Sequence, residues 1–209
     1  RYWLSQLNSR EKLVAAKLAN ENGWFDRAIF TLSKVGYMDD VELRFPQAYS
    51  NKIKKHSSKQ KINSAWAQAI ARRESSFMSD AQSPVGARGL MQLMPGTAKQ
   101  LKRGKVSRKY LFNAENNIKL GTKYLRLLLK KNKGNHILAT ASYNAGPHRI
   151  KSWLKNTEAL PADIWIETIP FKETRNYVKS VLAYQEIYQY KAGQVSKIFD
   201  EVINMNIGG

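Results

Sequence analysis

The 209-residue chain is 43% hydrophobic and 24% charged, the composition of a folded globular protein rather than of a disordered one. Its 35 Lys and Arg against 16 Asp and Glu leave a formal charge of +19. That surplus draws polyanions at long range but does not choose among nucleic acid, an anionic membrane, peptidoglycan with its lactyl and stem-peptide carboxylates, and a solvated surface with no dedicated partner. With no cysteine, disulfide scaffolds, thiolate nucleophiles and cysteine-ligated metals are excluded. No run reaches the roughly 20 apolar residues of a membrane span. The chain opens at Arg1 without a signal segment and is expected to be a mature or trimmed soluble fragment.

Taken in order, the periodic segments predict helices and no sheet, an all-α protein. Ser9 is placed to cap a helix carrying Glu11, Leu13, Ala16 and Leu18, which Gly23 ends. A second helix from about Trp24 to Val35 completes an αα-hairpin too small to bury its own apolar faces. Gly36, Asp39, Asp40 and Pro46 break regularity, and Lys52, Lys54, Lys55, Lys59 and Lys61 crowd what reads as a wet helix face. The domain boundary is expected here. Ser64 then caps a helix with Trp66, Ile70 and Phe77 on one stripe, ending between Glu74 and Phe77. A Ser-, Pro- and Gly-rich loop from Ser79 to Gly89 leads to a short helical stretch from Leu90, broken at Pro95. Asn113 caps the most regular helix, with Ile118, Leu120, Tyr124, Leu125, Leu127 and Leu128 as its core residues and Gly134 as its stop. Two helices, 136–145 and 147–156, hinge at Gly146-Pro147. A long helix from about Lys172 to Lys191 carries Tyr177, Val181, Tyr184, Ile187 and Tyr188, and residues 194–209 are weakly periodic, expected to fray.

Glu74 lies eight residues after Trp66 and four after Ile70, at the edge of the apolar stripe. Partial burial and the negative end of the helix dipole both disfavour its charged form. A carboxyl that keeps its proton near neutral pH is what a general acid needs. A structural ion pair is the competing explanation, although Arg72 and Arg73 point away around the helix. The following Ser83-Pro84-Val85-Gly86-Ala87-Arg88-Gly89-Leu90-Met91-Gln92 run lets backbone approach a ligand closely, as the floor of a saccharide groove would.

Four blocks then appear in order: Glu74-Ser75; Gly89-Leu90-Met91-Gln92-Leu93-Met94-Pro95; Tyr143-Asn144-Ala145-Gly146-Pro147; and Glu167-Thr168-Ile169-Pro170-Phe171-Lys172-Glu173-Thr174-Arg175-Asn176-Tyr177-Val178. In order and spacing they resemble the large periplasmic soluble lytic transglycosylases. The resemblance implies a lysozyme-like domain of the goose-type lysozyme and transglycosylase kind over residues 61–192. A helical hairpin and linker, the end of a superhelical domain, would occupy 1–60, and a C-terminal tail 193–209. It implies cleavage of the β-1,4 bond between N-acetylmuramic acid and N-acetylglucosamine in peptidoglycan, with formation of 1,6-anhydromuramic acid. Glu74 would act as acid and then base without a second carboxylate, unlike paired-carboxylate glycosidases. Ser83, Gln92, Met94, Tyr143, Asn144 and Glu167 would line the groove. From spacing alone, Met94 and Phe77 are most simply core, Gln92 and Asn144 fit backbone-capping amides as well, and Glu167 fits an ion pair. The resemblance further implies a periplasmic monomer with peptidoglycan strands as partner, no nucleic acid, no transmembrane segment and no cofactor. Ser142, His148 and Arg73 depart from the family pattern, and the first two bear on the groove lining.

No metal site is expected: His56, His136 and His148 lack ligand spacing and read as surface residues. A nucleic-acid-binding helical protein would need basic and aromatic residues on one face, whereas the lysines are dispersed and most tyrosines sit at core spacing. A scaffold that has lost its chemistry, and a hydrolytic lysozyme of goose-type kind, complete the alternatives.

Overall fold

The computed structural model describes residues 2–36, 40–155, 158–195 and 198–208. Asp39 and Asn156, at the expected boundary and helix end, lie outside them. The chain divides into two compact units, Arg1–Lys52 with Glu74–Ile118 and Ile53–Arg73 with Lys119–Gly209. Helices dominate both, as the periodicity predicts.

The first unit opens with α1 (Tyr2–Gln6), α2 (Ser9–Glu21), α3 (Phe25–Val35) and α4 (Val41–Arg44). The cap of α2 is Asn8 rather than Ser9: Asn8 Oδ1 accepts from the Glu11 amide at 2.9 Å and Glu11 Oε2 accepts from the Asn8 amide at 2.8 Å, a reciprocal capping box. The hairpin α2–α3 buries Ala16, Ala19, Ala28, Ile29, Thr31 and Leu32, and Ala16 and Leu32 cluster with Leu43 of α4 and partly buried Leu13. Val14, Leu18, Trp24 and Phe30 each stay about half exposed, as expected for a hairpin of this size. Farther on are α7 (Pro95–Leu101) and α8 (Arg108–Phe112). Pro95 does not break a helix but starts one, because the missing amide hydrogen costs nothing at the first helical position.

Helices α5 (Ser50–Gln60), α6 (Ser64–Ser75) and α9 (Ala114–Lys131) each contribute to both units. The lysine-rich stretch is therefore helical, with Ile53, His56 and Ser57 on its buried side. Asn63 rather than Ser64 caps α6, its Oδ1 accepting from the Ala65 amide at 2.8 Å. All seven residues from Ala65 to Ala71 are buried. Four of them are alanines, so neighbours approach on every side. On α9 the expected core positions Ile118, Leu120, Leu125 and Leu128 are buried, but Leu127 is 38% exposed, at the border of the broad face that the others define.

The second unit holds α10 (His136–Ala145), α11 (Pro147–Leu154), β1 (Leu160–Pro161), α12 (Ala162–Thr168), α13 (Lys172–Lys191), α14 (Ile198–Ile203) and β2 (Asn206–Ile207). The departure from helical order in this unit, among its described residues, is the short antiparallel pair β1–β2, with Leu160 opposite Ile207. The C-terminal stretch does not fray. Ile198, Val202 and Ile207 join Ile137, Trp165, Ile166, Val178 and Leu182 in one buried cluster, and the Ala162 amide donates to the Met205 carbonyl at 2.8 Å. Its apolar residues are shared between a short helix and a strand, which is why no single period shows.

Two of the three histidines are not surface residues: His56 is buried, and His136 is half-buried with both ring nitrogens enclosed. His56 is 6% exposed. His136 packs its ring 4.3 Å from that of Trp66, and both ring nitrogens are buried without a hydrogen-bond partner. Trp66 Nε1 donates to Thr140 Oγ1 at 3.0 Å, and that hydroxyl donates to the His136 carbonyl at 2.9 Å. Burial lowers the His136 pKa from 6.5 to about 4, so the folded protein holds it neutral. The unfolded chain takes up this proton first as pH falls below about 6.5, and the folded chain only near 4. Stability is thus fully present above that window and lost as pH falls through it, by about 3 kcal/mol in all. Urea titrations at pH 7 and pH 4.5 are expected to show this loss, and His136→Phe to remove most of it. An unchanged pH dependence in that variant would contradict the assignment.

Candidate active site

Glu74 stands in the last turn of α6 and is half-buried. The helix ends immediately afterwards because Ser76 and Phe77 both take left-handed backbone, with φ of 51° and 69°. Two adjacent non-glycine residues in that region are costly. The offset is visible: Phe77 is 3% exposed and meets the Phe25 ring edge-on at 6.4 Å, so it is core although it has left the helix. Ser75 is buried, and its Oγ donates to the Leu90 carbonyl at 2.7 Å. The residue after Glu74 is thereby tied to the loop that follows. Arg72 and Arg73 lay their guanidinium groups on the rings of Tyr184 and Tyr177, at 5.3 Å and 5.5 Å.

The loop is a closed, hydrogen-bonded structure rather than the expected helical stretch from Leu90. Arg88 and Leu93 exchange both backbone hydrogen bonds at 3.0 Å, and the Gly89 amide donates to Ala81 at 2.8 Å. Within it, Ser83 Oγ accepts from the Ala87 amide at 3.0 Å, which stabilises the Ser83–Gly86 turn. Gln92, itself left-handed with φ of 45°, donates both Nε2 hydrogens inward, to Ala81 O at 3.1 Å and Gly89 O at 2.8 Å. Its Oε1 has no partner among the described residues. Met94 is 43% exposed rather than core, because it sits at the N-cap of α7 with extended backbone.

What holds this loop in place is Asn117, a residue that the pattern of motifs passes over. It is fully buried in the first turn of α9. Its Nδ2 donates to Arg88 O at 2.9 Å and Leu111 O at 2.8 Å, and its Oδ1 accepts from the Met91 amide at 2.7 Å. Gly89 packs directly on it: with φ of 76°, any Cβ would collide with the Asn117 amide and the Leu111 carbonyl. A signal was present in the sequence. Asn117 falls on the same helical stripe as Leu120 and Tyr124, and a polar residue on an apolar stripe must find partners inside.

The other candidate residues belong to the second unit. Tyr143 packs against Tyr124 with ring centroids 5.3 Å apart. Asn144 is engaged at both ends by the first turn of α13: Nδ2 donates to Glu173 Oε1 at 3.2 Å, and Oδ1 accepts from Thr174 Oγ1 at 2.7 Å. One Nδ2 hydrogen remains for a ligand. Glu167 is exposed and accepts from Lys179 Nζ at 2.9 Å, the ion pair that its loop-edge position suggested. Ser142 is fully buried and accepts from Asn132 Nδ2 at 3.2 Å. That departure from the family pattern therefore faces the helix interior and not a ligand, whereas His148 is exposed. Among the described residues no three His, Asp or Glu side chains gather as a metal site would require, and no helix is long and apolar enough to cross a membrane.

Three family models match the chain: the transglycosylase SLT domain over residues 51–166, the soluble lytic transglycosylase helical domain over 168–197, and the soluble lytic murein transglycosylase L domain over 1–41. The soluble lytic murein transglycosylase of Escherichia coli K12 is 40% identical over 200 residues, 91% of this chain and 31% of that protein. Among solved structures, a lytic transglycosylase from Pseudomonas aeruginosa, determined as an inactive Glu-to-Gln mutant, is 43% identical with a TM-score of 0.88, over 93% of this chain and 32% of that one. The 70 kDa soluble lytic transglycosylase of Escherichia coli is 39% identical with a TM-score of 0.87, over 91% and 32%. The chain thus spans about a third of the length of these relatives.

Asn117→Asp keeps the acceptor for Met91 but sets a carboxylate oxygen against two carbonyls that had received hydrogens. It is expected to lower the unfolding free energy by at least about 3 kcal/mol, measured by urea denaturation at pH 7. Wild-type stability in this variant would show that the amide hydrogens do not hold the loop.

Proposed function

Because the chain belongs to the transglycosylase SLT domain family, we propose that it is a lytic transglycosylase that cleaves the β-1,4 bond between N-acetylmuramic acid and N-acetylglucosamine in bacterial peptidoglycan. The observation that carries this reading is the setting of Glu74: a half-buried carboxyl in the last turn of an otherwise enclosed helix, beside a serine locked to the Gly89–Leu93 loop. Residues 61–192 would carry the chemistry.

In the proposed reaction the Glu74 carboxyl gives its proton to the glycosidic oxygen as the bond to C1 breaks. The resulting carboxylate then takes the proton of the muramyl 6-hydroxyl while that oxygen closes on C1. The product ends in 1,6-anhydromuramic acid, Glu74 recovers its proton, and water is not consumed. No nucleophilic or water-activating carboxylate is needed. In keeping with this, Asp80 is the sole acidic residue from Ser75 to Ala114, and it is exposed.

The surrounding roles follow from where the side chains stand. In the first unit, Gln92 would present Oε1, Ser83 its hydroxyl hydrogen and Met94 its exposed thioether to the glycan. In the second, Tyr143 would offer a ring face and hydroxyl, Asn144 its remaining amide hydrogen, and Glu167 a carboxylate shared with Lys179. The working compartment would be the periplasm, with peptidoglycan strands as the partner and the chain acting as a monomer.

Glu74→Gln retains shape and hydrogen-bonding reach but has no proton to give. Release of soluble fragments from purified peptidoglycan should fall by on the order of a thousandfold or more, with an unchanged thermal midpoint. Substantial release by a folded Glu74→Gln protein would remove Glu74 from the mechanism.

A further inference from the structure

Seven residues after Asn117, and so on the same side of α9, stands Tyr124. Apolar spacing makes it a core position, yet it is half-buried. A tyrosine enclosed in a core usually spends its hydroxyl on a hydrogen bond. The Tyr124 hydroxyl has no such partner among the described residues. Burial of the ring pushes its pKa above the usual phenol value, so at neutral pH the group is uncharged and serves neither as a base nor as one half of an ion pair.

What Tyr124 does inside the protein is therefore done by its ring. That ring meets the ring of Tyr143 with centroids 5.3 Å apart and planes inclined at 53°, within the range where two aromatic rings attract beyond the area they bury. Tyr143 stands in the last turn of α10, three residues before Gly146 turns the chain out of the helix with φ of 89°. Its neighbours on the helix are held from other directions. Ser142 accepts from Asn132, Asn144 is engaged by Glu173 and Thr174, and Ala141 and Ala145 lie in the buried cluster of the second unit. Tyr143 is only half-buried. A long side chain in a helix has two common rotamers, and at such a position the packing on its covered side selects between them.

We propose that Tyr124 is a positioning residue for the glycan site: its ring fixes the rotamer of Tyr143, and its hydroxyl is dispensable. The part that Tyr143 plays in binding rests on the function proposed above.

Tyr124→Leu removes the ring but keeps apolar bulk, whereas Tyr124→Phe removes the hydroxyl alone. Crystal structures are expected to show the Tyr143 ring turned to a second rotamer, or split between two, in Tyr124→Leu and unmoved in Tyr124→Phe. On purified glycan strands, assayed well below each protein's thermal midpoint, kcat/KM should fall by about fivefold to tenfold in Tyr124→Leu and recover in Tyr124→Phe. Because the effect passes through Tyr143, adding Tyr124→Leu to Tyr143→Leu should bring no further loss. Should Tyr124→Leu not fold, Tyr124→Met, unbranched and adaptable, takes its place under the same expectations. A Tyr143 ring unmoved in Tyr124→Leu, losses that multiply in the double variant, or a Tyr124→Phe protein as impaired as Tyr124→Leu would each overturn the proposal. A wild type that does not cut glycan would defeat the catalytic reading instead, and the Tyr143 rotamer would still decide what Tyr124 holds.

Discussion

A helix buried on every side fixes whatever stands at its end. From Ala65 to Ala71 no residue of α6 reaches solvent appreciably, so the helix has no wet face about which to rotate. Alanine supplies helix propensity and lets neighbours pack close, while Trp66 and Ile70 supply the apolar area. Glu74 lies one turn beyond this enclosed section. Its position therefore follows from the packing of residues that have no chemical role themselves.

The loop that follows is held by polar as well as apolar forces. Leu90, Met91 and Leu93 anchor its second half in the core, but the Gly-, Pro- and Ser-containing stretch before them wanders unless its backbone groups are satisfied. Asn117 satisfies two of them, Arg88 O and the Met91 amide, from a fully buried position and ties them to Leu111 O of α8, and Gln92 satisfies two more. The direction of these bonds matters for function. Gln92 turns its donors inward and leaves an acceptor, whereas Asn144 spends its acceptor on Thr174 and leaves a donor. The two amides, both candidates for contact with sugar, thus offer opposite halves of a hydrogen bond.

Much of this was legible in the sequence because it depends on local periodicity. The helices around Trp66, Ile118 and Tyr177 were readable from apolar spacing, and Glu74 from its place at the edge of a stripe. The failures share a cause: they depend on partners distant in sequence. His136 reads as a surface residue until Trp66, seventy positions earlier, is known to cover it. Leu90 to Leu93 reads as a short helix until Arg88, Leu93 and Asn117 are seen to compete for its backbone groups. The C-terminal stretch reads as loose because its three anchors are split between a short helix, with Ile198 and Val202, and a strand, with Ile207. Met94 shows the reverse case: spacing alone makes it core, the family resemblance places it in the groove, and it stands half in solvent.

The central claim is that one carboxyl group, acting without water, both donates and recovers the proton. Digestion of purified peptidoglycan in water enriched in heavy oxygen, followed by mass spectrometry of the released muropeptides, tests this directly. The account predicts muramyl termini lighter by one water than free reducing ends and carrying no heavy oxygen, because the 6-hydroxyl of the same sugar closes the ring. Reducing termini labelled with heavy oxygen would show that water attacks C1, and would contradict it.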